Sequence, residues 1–167
     1  MLEIKNISGG YNQKLVVHDV SFQVSKGEML GILGPNGSGK STLLKLMSGI
    51  LTPASGEVLI EGKQLKSYSS KELAKRLAVL PQLHNQAFSH TVRDTVSLGR
   101  YPHQSGWFST WSQEDEVATQ EAMRLTAIDK YEKHLLELLS GGEQQRVFVA
   151  QALAQQAPIL LLDEPTN

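Results

Sequence analysis

Residues 34 to 41 read Gly34-Pro35-Asn36-Gly37-Ser38-Gly39-Lys40-Ser41, a complete G-x-x-x-x-G-K-[ST] string. The run in front of it, Met29-Leu30-Gly31-Ile32-Leu33, is almost wholly apolar and predicts a buried strand. Behind it, Lys40 to Met47 has helical character. A buried strand, a glycine-rich turn and a helix in immediate succession point to an α/β fold. The same succession is what phosphate recognition requires. Glycines let the loop curl until successive N–H groups face phosphate oxygens, and the helix N-terminus adds partial positive charge. Lys40 is then expected to pair with the β- and γ-phosphates of a nucleotide, and the Ser41 hydroxyl to ligate Mg²⁺. A structural turn with an exposed lysine is the plain alternative. The strand before and the helix after favour the nucleotide.

The rest of the chain supplies the surrounding layers. Leu2, Ile4 and Ile7 predict one strand and Val20, Phe22 and Val24 a second, followed by a turn at Lys26-Gly27-Glu28. Val58 to Ile60 predicts a third strand before a turn at Glu61-Gly62-Lys63. Ser69 and Glu72 stand in capping-box register and open a short helix ending near Arg76. Leu77 to Leu80 reads as a strand stopped by Pro81. Thr91 to Leu98, Gln113 to Thr126 and Gly142 to Gln156 read as helices, with a loop from Gly99 to Trp111 between the first two. Ile159 to Leu162 reads as a buried, central strand ending at Asp163. The expected architecture is a three-layer α/β core with N-terminal antiparallel β strands and a helical insert over about residues 91–156, in one domain spanning 1–167.

Two more stretches carry chemistry. Four apolar residues followed by Asp163-Glu164 describe a strand that delivers Asp163 to a Mg²⁺ shell and leaves Glu164 suitably placed to polarise a water. Alone, that pattern is a plain strand with a polar turn; paired with the Gly34–Ser41 loop, the functional reading prevails. Leu139-Ser140-Gly141-Gly142-Glu143-Gln144-Gln145-Arg146 reads two ways. Ser140 and Glu143 form a capping box that merely starts a helix, or Ser140 and the Gly141 and Gly142 amides make a second anion site. Both uses draw on the same orphan N–H groups, and spacing does not decide between them.

In this order the three stretches resemble those of ATP-binding cassette ATPases, the motor subunits of ABC transporters, and the resemblance covers the whole length. Gly34–Ser41 is similar to the Walker A loop, Leu139–Gln144 to the family signature, Ile159–Asp163 to the Walker B strand and Glu164 to the catalytic glutamate. The resemblance implies a P-loop NTPase core, ATP and Mg²⁺ as cofactors, and hydrolysis of ATP. It implies a head-to-tail homodimer, in which Ser140 to Gln144 of one copy close over the γ-phosphate held by Gly34 to Thr42 of the other. It gives Tyr11 the part of the aromatic stacked on adenine, and Gln82 that of a glutamine touching both Mg²⁺ and the attacking water. The implied metal ligands are Ser41, Gln82 and Asp163. The family continues with a loop and a switch histidine, and none of His18, His84, His90, His103 or His134 follows the Walker B strand. The expectation is a truncated cassette that hydrolyses ATP poorly or not at all as it stands.

Gly99-Arg100-Tyr101-Pro102-His103 resembles the importers of iron–siderophore chelates, haem and cobalamin. That likeness implies membrane permease subunits and a periplasmic or extracellular substrate-binding protein as partners. It also implies a peripheral position on the cytoplasmic side of the inner membrane. Tyr101, Trp107, Phe108 and Trp111 are four of the chain's ten aromatics (two Trp, four Tyr, four Phe), and such clustering is expected of an interface. The alternatives are import of another substrate, a soluble cassette protein acting on ribosomes or DNA, and a non-catalytic nucleotide-binding module.

Composition narrows these. With 16 Lys+Arg against 17 Asp+Glu, the net charge of -1 gives no general basic surface for nucleic acid, and none is expected as a partner. No sustained heptad suggests the coiled coil of chromosome-associated cassettes. The absence of cysteine excludes disulfides and thiolate metal sites. No run approaches the roughly 18 apolar residues of a membrane span, and Met1 to Asn6 holds no apolar leader core, so any membrane role is expected through a partner.

Overall fold

The computed structural model describes residues 1–12, 14–81, 90–104 and 111–163. They form two compact units, Met1–Arg76 and Leu77–Asn167.

The first unit is built on an antiparallel sheet. Strands β1 (Leu2–Tyr11), β2 (Lys14–Val24), β3 (Ser55–Ile60) and β4 (Lys63–Gln64) lie in the order β2-β1-β3-β4. Leu2 and Ile4 are two apart and share the buried face, whereas Ile7 is out of phase with them. A register shift between Ile4 and Ile7, with Asn6 at φ 46°, returns Ile7 to that face, where it is fully buried. Helix α1 (Lys40–Met47) buries Leu43, Leu46 and Met47 and packs on β1. Helix α2 (Ser70–Ala74) opens on the expected Ser69/Glu72 box and ends two residues before Arg76.

Met29–Leu33 departs from expectation. The run has no regular secondary structure and joins neither sheet, and Met29 and Leu33 are 96% and 95% exposed. A strand is buried by its neighbours, and among the described residues this run has none to pair with.

In the second unit β5 (Leu77–Leu80) and β6 (Ile159–Leu162) pair in parallel, Leu77 opposite Ile159 through Leu80 opposite Leu162. Helix α5 (Gly141–Ala154) packs on β5, and α3 (Val92–Ser97) and α4 (Gln113–Leu125) pack on α5. Their apolar faces meet in a core of Val92, Val96, Ala122, Met123, Val147 and Ala150, closed by Ile128 and Leu136. Arg93 ties α3 to α4 by an ion pair to Glu116 and to the turn beyond α4 by a second one to Glu132.

Two further expectations change here. The stretch after α3 is not an open loop from Gly99: Leu98–His103 forms a 3₁₀ helix in which Gly99, Arg100 and Pro102 are buried. Strand β6 is neither central nor fully buried. Leu161 is covered, but Leu160 and Leu162 remain 38% and 39% exposed, because β5 occupies only one of its edges among the described residues.

Candidate functional site

The loop before α1 is shaped by its own backbone. Gly37 and Gly39 sit at φ 80° and 95°, left-handed conformations that cost a side-chain-bearing residue strain. Ser38 N–H donates to Pro35 O at 3.2 Å, and Lys40 Nζ reaches back to Gly34 O at 2.9 Å and Pro35 O at 3.1 Å. The lysine thus clips the loop over the start of α1, with Asn36 exposed at its crest. Ser41 is half-buried and Thr42 is on the buried face of the helix. Tyr11, at the end of β1, is 44% exposed, with Lys45 Nζ 5.7 Å from its ring centroid.

The start of α1 differs from those of the other described α-helices. Helices α2, α3, α4 and α5 each begin with a complete capping box: Ser69/Glu72, Thr91/Asp94, Ser112/Asp115 and Ser140/Glu143. Helix α1 has Gly39 at its N-cap, no side-chain cap and no acidic residue in its first turn. Its first turn therefore carries no capping side chain and no acid of its own, while a cation stands at its first residue. That arrangement fits a phosphate.

At α5 the side chains of Ser140 and Glu143 meet in full. Ser140 Oγ and N–H both donate to Glu143 Oε2, at 2.6 and 2.9 Å. The Ser140 hydroxyl, the Tyr131 hydroxyl and the Ser140 N–H hold the Glu143 carboxyl down to about 2. Gln144 Nε2 donates to the carbonyls of Leu136 and Leu139, both at 3.1 Å. The cap is therefore formed. Yet a Cβ on Gly141 or Gly142 would meet nothing within 4 Å. Glycine in a helical turn costs about 1 kcal/mol against alanine, and nothing among the described residues crowds either position.

Asp163 follows β6, its N–H bonded to Leu80 O at 2.9 Å. A serine hydroxyl and a carboxylate are hard oxygen donors, the chemistry Mg²⁺ prefers, so Ser41 and Asp163 suit that ion by type. Among the described residues no cluster of three or more His, Cys, Asp or Glu is present. Gln82 and Glu164 lie outside the described residues, as do Trp107 and Phe108. Of the expected aromatic cluster, Tyr101 is 76% exposed, and Trp111, 40% exposed, donates its indole N–H to Glu116 at 3.0 Å. The loop and Tyr11 belong to the first unit, Ser140–Gln144 and Asp163 to the second.

Sequence reasoning missed the bonds made by Arg100. This buried residue pairs with Asp115 and reaches the end of α5. An arginine directly after a glycine carries no local mark of burial.

The sequence profile of the ABC transporter family matches residues 17–167. The chain belongs to the ABC transporter family. An uncharacterised ABC transporter ATP-binding protein of Bacillus subtilis is 52% identical over 166 residues, 99% of this chain and 38% of that protein. The iron(3+)-hydroxamate import ATP-binding protein of the same organism is 42% identical over 99% of this chain and 61% of its own length. A bacterial ABC transporter cassette solved as a dimer superposes with a TM-score of 0.84 at 30% identity, covering 99% of this chain and 75% of the cassette. An inward-facing ABC transporter assigned to the metal-chelate type gives 0.81 at 30% identity, over 99% of this chain and 60% of that one. This ABC transporter chain thus spans between about two-fifths and three-fifths of the curated relatives it matches. Its fold is that of the P-loop ABC cassettes, as its loop, signature and Asp163 strand led one to expect. No helix among the described residues is long and apolar enough to cross a membrane.

Proposed function

We propose that the chain is the nucleotide-binding part of an ATP-hydrolysing importer subunit that energises uptake of a metal chelate, with ferric siderophores the favoured cargo. One observation carries the nucleotide reading: α1 alone among the described α-helices starts without a side-chain cap or an acid, directly behind Lys40. On this reading Gly34 to Gly39 wrap the phosphates with backbone N–H groups, and Lys40 leaves its loop carbonyls for the β- and γ-oxygens. Ser41 and Asp163 hold Mg²⁺, with Gln82 as a further ligand, and Tyr11 supports the adenine. Mg²⁺, when bound, neutralises the negative charge on the phosphate oxygens. Glu164 orients and polarises the attacking water, and Gln82 helps to position it.

Gly141 and Gly142 support a second copy as the other half of the site. Their backbone lies open, and an approaching phosphate would find the Ser140 hydroxyl and these amides together. The remaining partners are permease subunits and, through them, a periplasmic or extracellular substrate-binding protein. The subunit would sit peripherally at the cytoplasmic face of the membrane, with no nucleic-acid role. The helical insert over about 91–156 is proposed as the part that meets the permease. The chelate reading is supported by the Gly99–His103 string and by relatives whose names specify iron(3+)-hydroxamate and ferric enterobactin transport. Haem and cobalamin remain within the same proposal.

The test is uptake of labelled ferric hydroxamate, ferric catecholate, haem and cobalamin in a deletion strain, alongside ATPase assays of the full-length protein. Loss of ferric-siderophore uptake is expected. Normal uptake of all four, with another solute lost, defeats the cargo assignment and leaves the ATPase assignment intact.

A further inference from the structure

Asp115 serves two structures at once. Its Oδ2 completes the cap of α4, accepting from Ser112 N at 3.1 Å and Oγ at 2.8 Å, while Oδ1 accepts from Arg100 Nε at 2.9 Å. Both residues are buried, Arg100 at 2% and Asp115 at 4% exposure. Burial pushes the Asp115 carboxyl up, but the bonds from Arg100 and Ser112 outweigh it and hold the group below its ordinary range. A buried ion pair of this kind holds only when its remaining donors are also satisfied. Two of those donors are met at Arg100 Nη1, which donates to Ala154 O at 2.8 Å and to Gln156 Oε1 at 2.9 Å.

Ala154 is the last residue of α5, so its carbonyl has no partner within the helix. The next carbonyl, Gln155 O, lies 2.8 Å from His103 Nε2. A carbonyl only accepts, so that ring nitrogen carries the proton. Gln155 in turn donates through Nε2 to Leu77 O, the first residue of β5, at 2.9 Å. Gly99 presses on the same helix so closely that a Cβ there would stand 2.2 Å from Gln151 O. One 3₁₀ turn thus closes the C-terminal end of α5 with two basic side chains, as that end of a helix dipole favours. The far end of α5, about 21 Å away, is the signature Ser140, and the residues after Gln156 lead straight into β6 and Asp163.

We infer that Arg100 and His103 are positioning residues for ATP hydrolysis, fixing the joint between the signature helix and the strand that carries Asp163. The role rests on the ATPase reading above. Arginine is required because one planar guanidinium must serve a carboxylate, a main-chain carbonyl and a side-chain amide in three directions, which an ammonium on a flexible stem does not reproduce.

The experiment compares full-length wild type with Arg100→Lys, His103→Ala and His103→Gln. Measured for each are kcat, nucleotide affinity by fluorescent-ATP titration, unfolding midpoint, and hydrogen exchange of residues 154–162. Arg100→Lys and His103→Ala are expected to lower kcat about tenfold and to speed exchange across the joint. Nucleotide affinity should stay within twofold and the unfolding midpoint within a few degrees. His103→Gln supplies an N–H donor to the same carbonyl and is expected to restore most of kcat. His103 is only half-buried, so its variants test the inference even if Arg100→Lys folds poorly. An active wild type with kcat unchanged in both Arg100→Lys and His103→Ala overturns the inference. So does a joint fall of kcat, affinity and stability without rescue by glutamine. An inactive wild type overturns the ATPase reading itself.

Discussion

Lys40 holds its ammonium on the carbonyls of Gly34 and Pro35, so the cation that phosphate would meet is already aimed into the curl of the loop. Removing it deletes both that clip and the charge. A charge-assisted hydrogen bond contributes about 1.5–3 kcal/mol, so Lys40→Ala should weaken nucleotide binding roughly 10- to 150-fold. An unchanged affinity in a fluorescent-nucleotide titration of the full-length protein would rule out this role. Glu143 offers a second test at the same scale. Its carboxyl is held at about 2 against an ordinary 4.5, chiefly by the Ser140 hydroxyl and then by Tyr131. A group lowered on folding stabilises the fold above its unfolded value, and that contribution is lost as pH falls through the folded one. The stability gap between wild type and Glu143→Gln should therefore be constant above about pH 4.5 and close as pH approaches about 2. Thermal melts across that range check it; a gap that ignores pH would show that the charge of Glu143 is not what the cap uses.

Among the elements, the four capping boxes form within three residues of sequence, so a chain read locally discloses them, as at Ser69/Glu72 and Ser140/Glu143. The 3₁₀ turn over Leu98–His103 is the opposite case. Arg100 meets Asp115 15 residues on and Ala154 54 residues on, and no window of local pattern contains all three. The string Gly99–His103 was legible as a motif and illegible as a clasp. Its glycine gives the sharpest element-level prediction. Gly99→Ala places a Cβ against the Gln151 carbonyl and must push the turn off α5, an overpacking that costs about 1–3 kcal/mol. Urea unfolding should register that loss. A neutral result would mean that the turn can shift without consequence.

For the molecule as a whole, the helices were easier to read than the sheets. Met29–Leu33 and Ile159–Leu162 both looked buried because apolar runs announce a wish for cover but not the strand that supplies it. Among the described residues the first is unpaired and the second has one neighbour. The 167-residue chain on its own should therefore associate as concentration rises, through these open edges and exposed side chains. Light scattering should detect it, and Met29→Lys combined with Leu33→Lys should reduce it. A monomer at all concentrations would show that the exposed run is harmless. The pairing of β5 with β6 also sets a timetable for synthesis. Gln155 bonds to Leu77 across 78 residues, and the two strands meet over a similar span. At about 5–20 residues per second, β5 leaves the ribosome roughly 4–16 s before its partner strand exists. During that wait an apolar segment with an unfilled ladder is exposed to solvent or to a neighbouring nascent chain, while α3, α4 and α5 condense from local contacts. The parallel topology of this unit thus makes translation speed and chaperone cover between Leu77 and Ile159 a determinant of how much chain reaches the folded state.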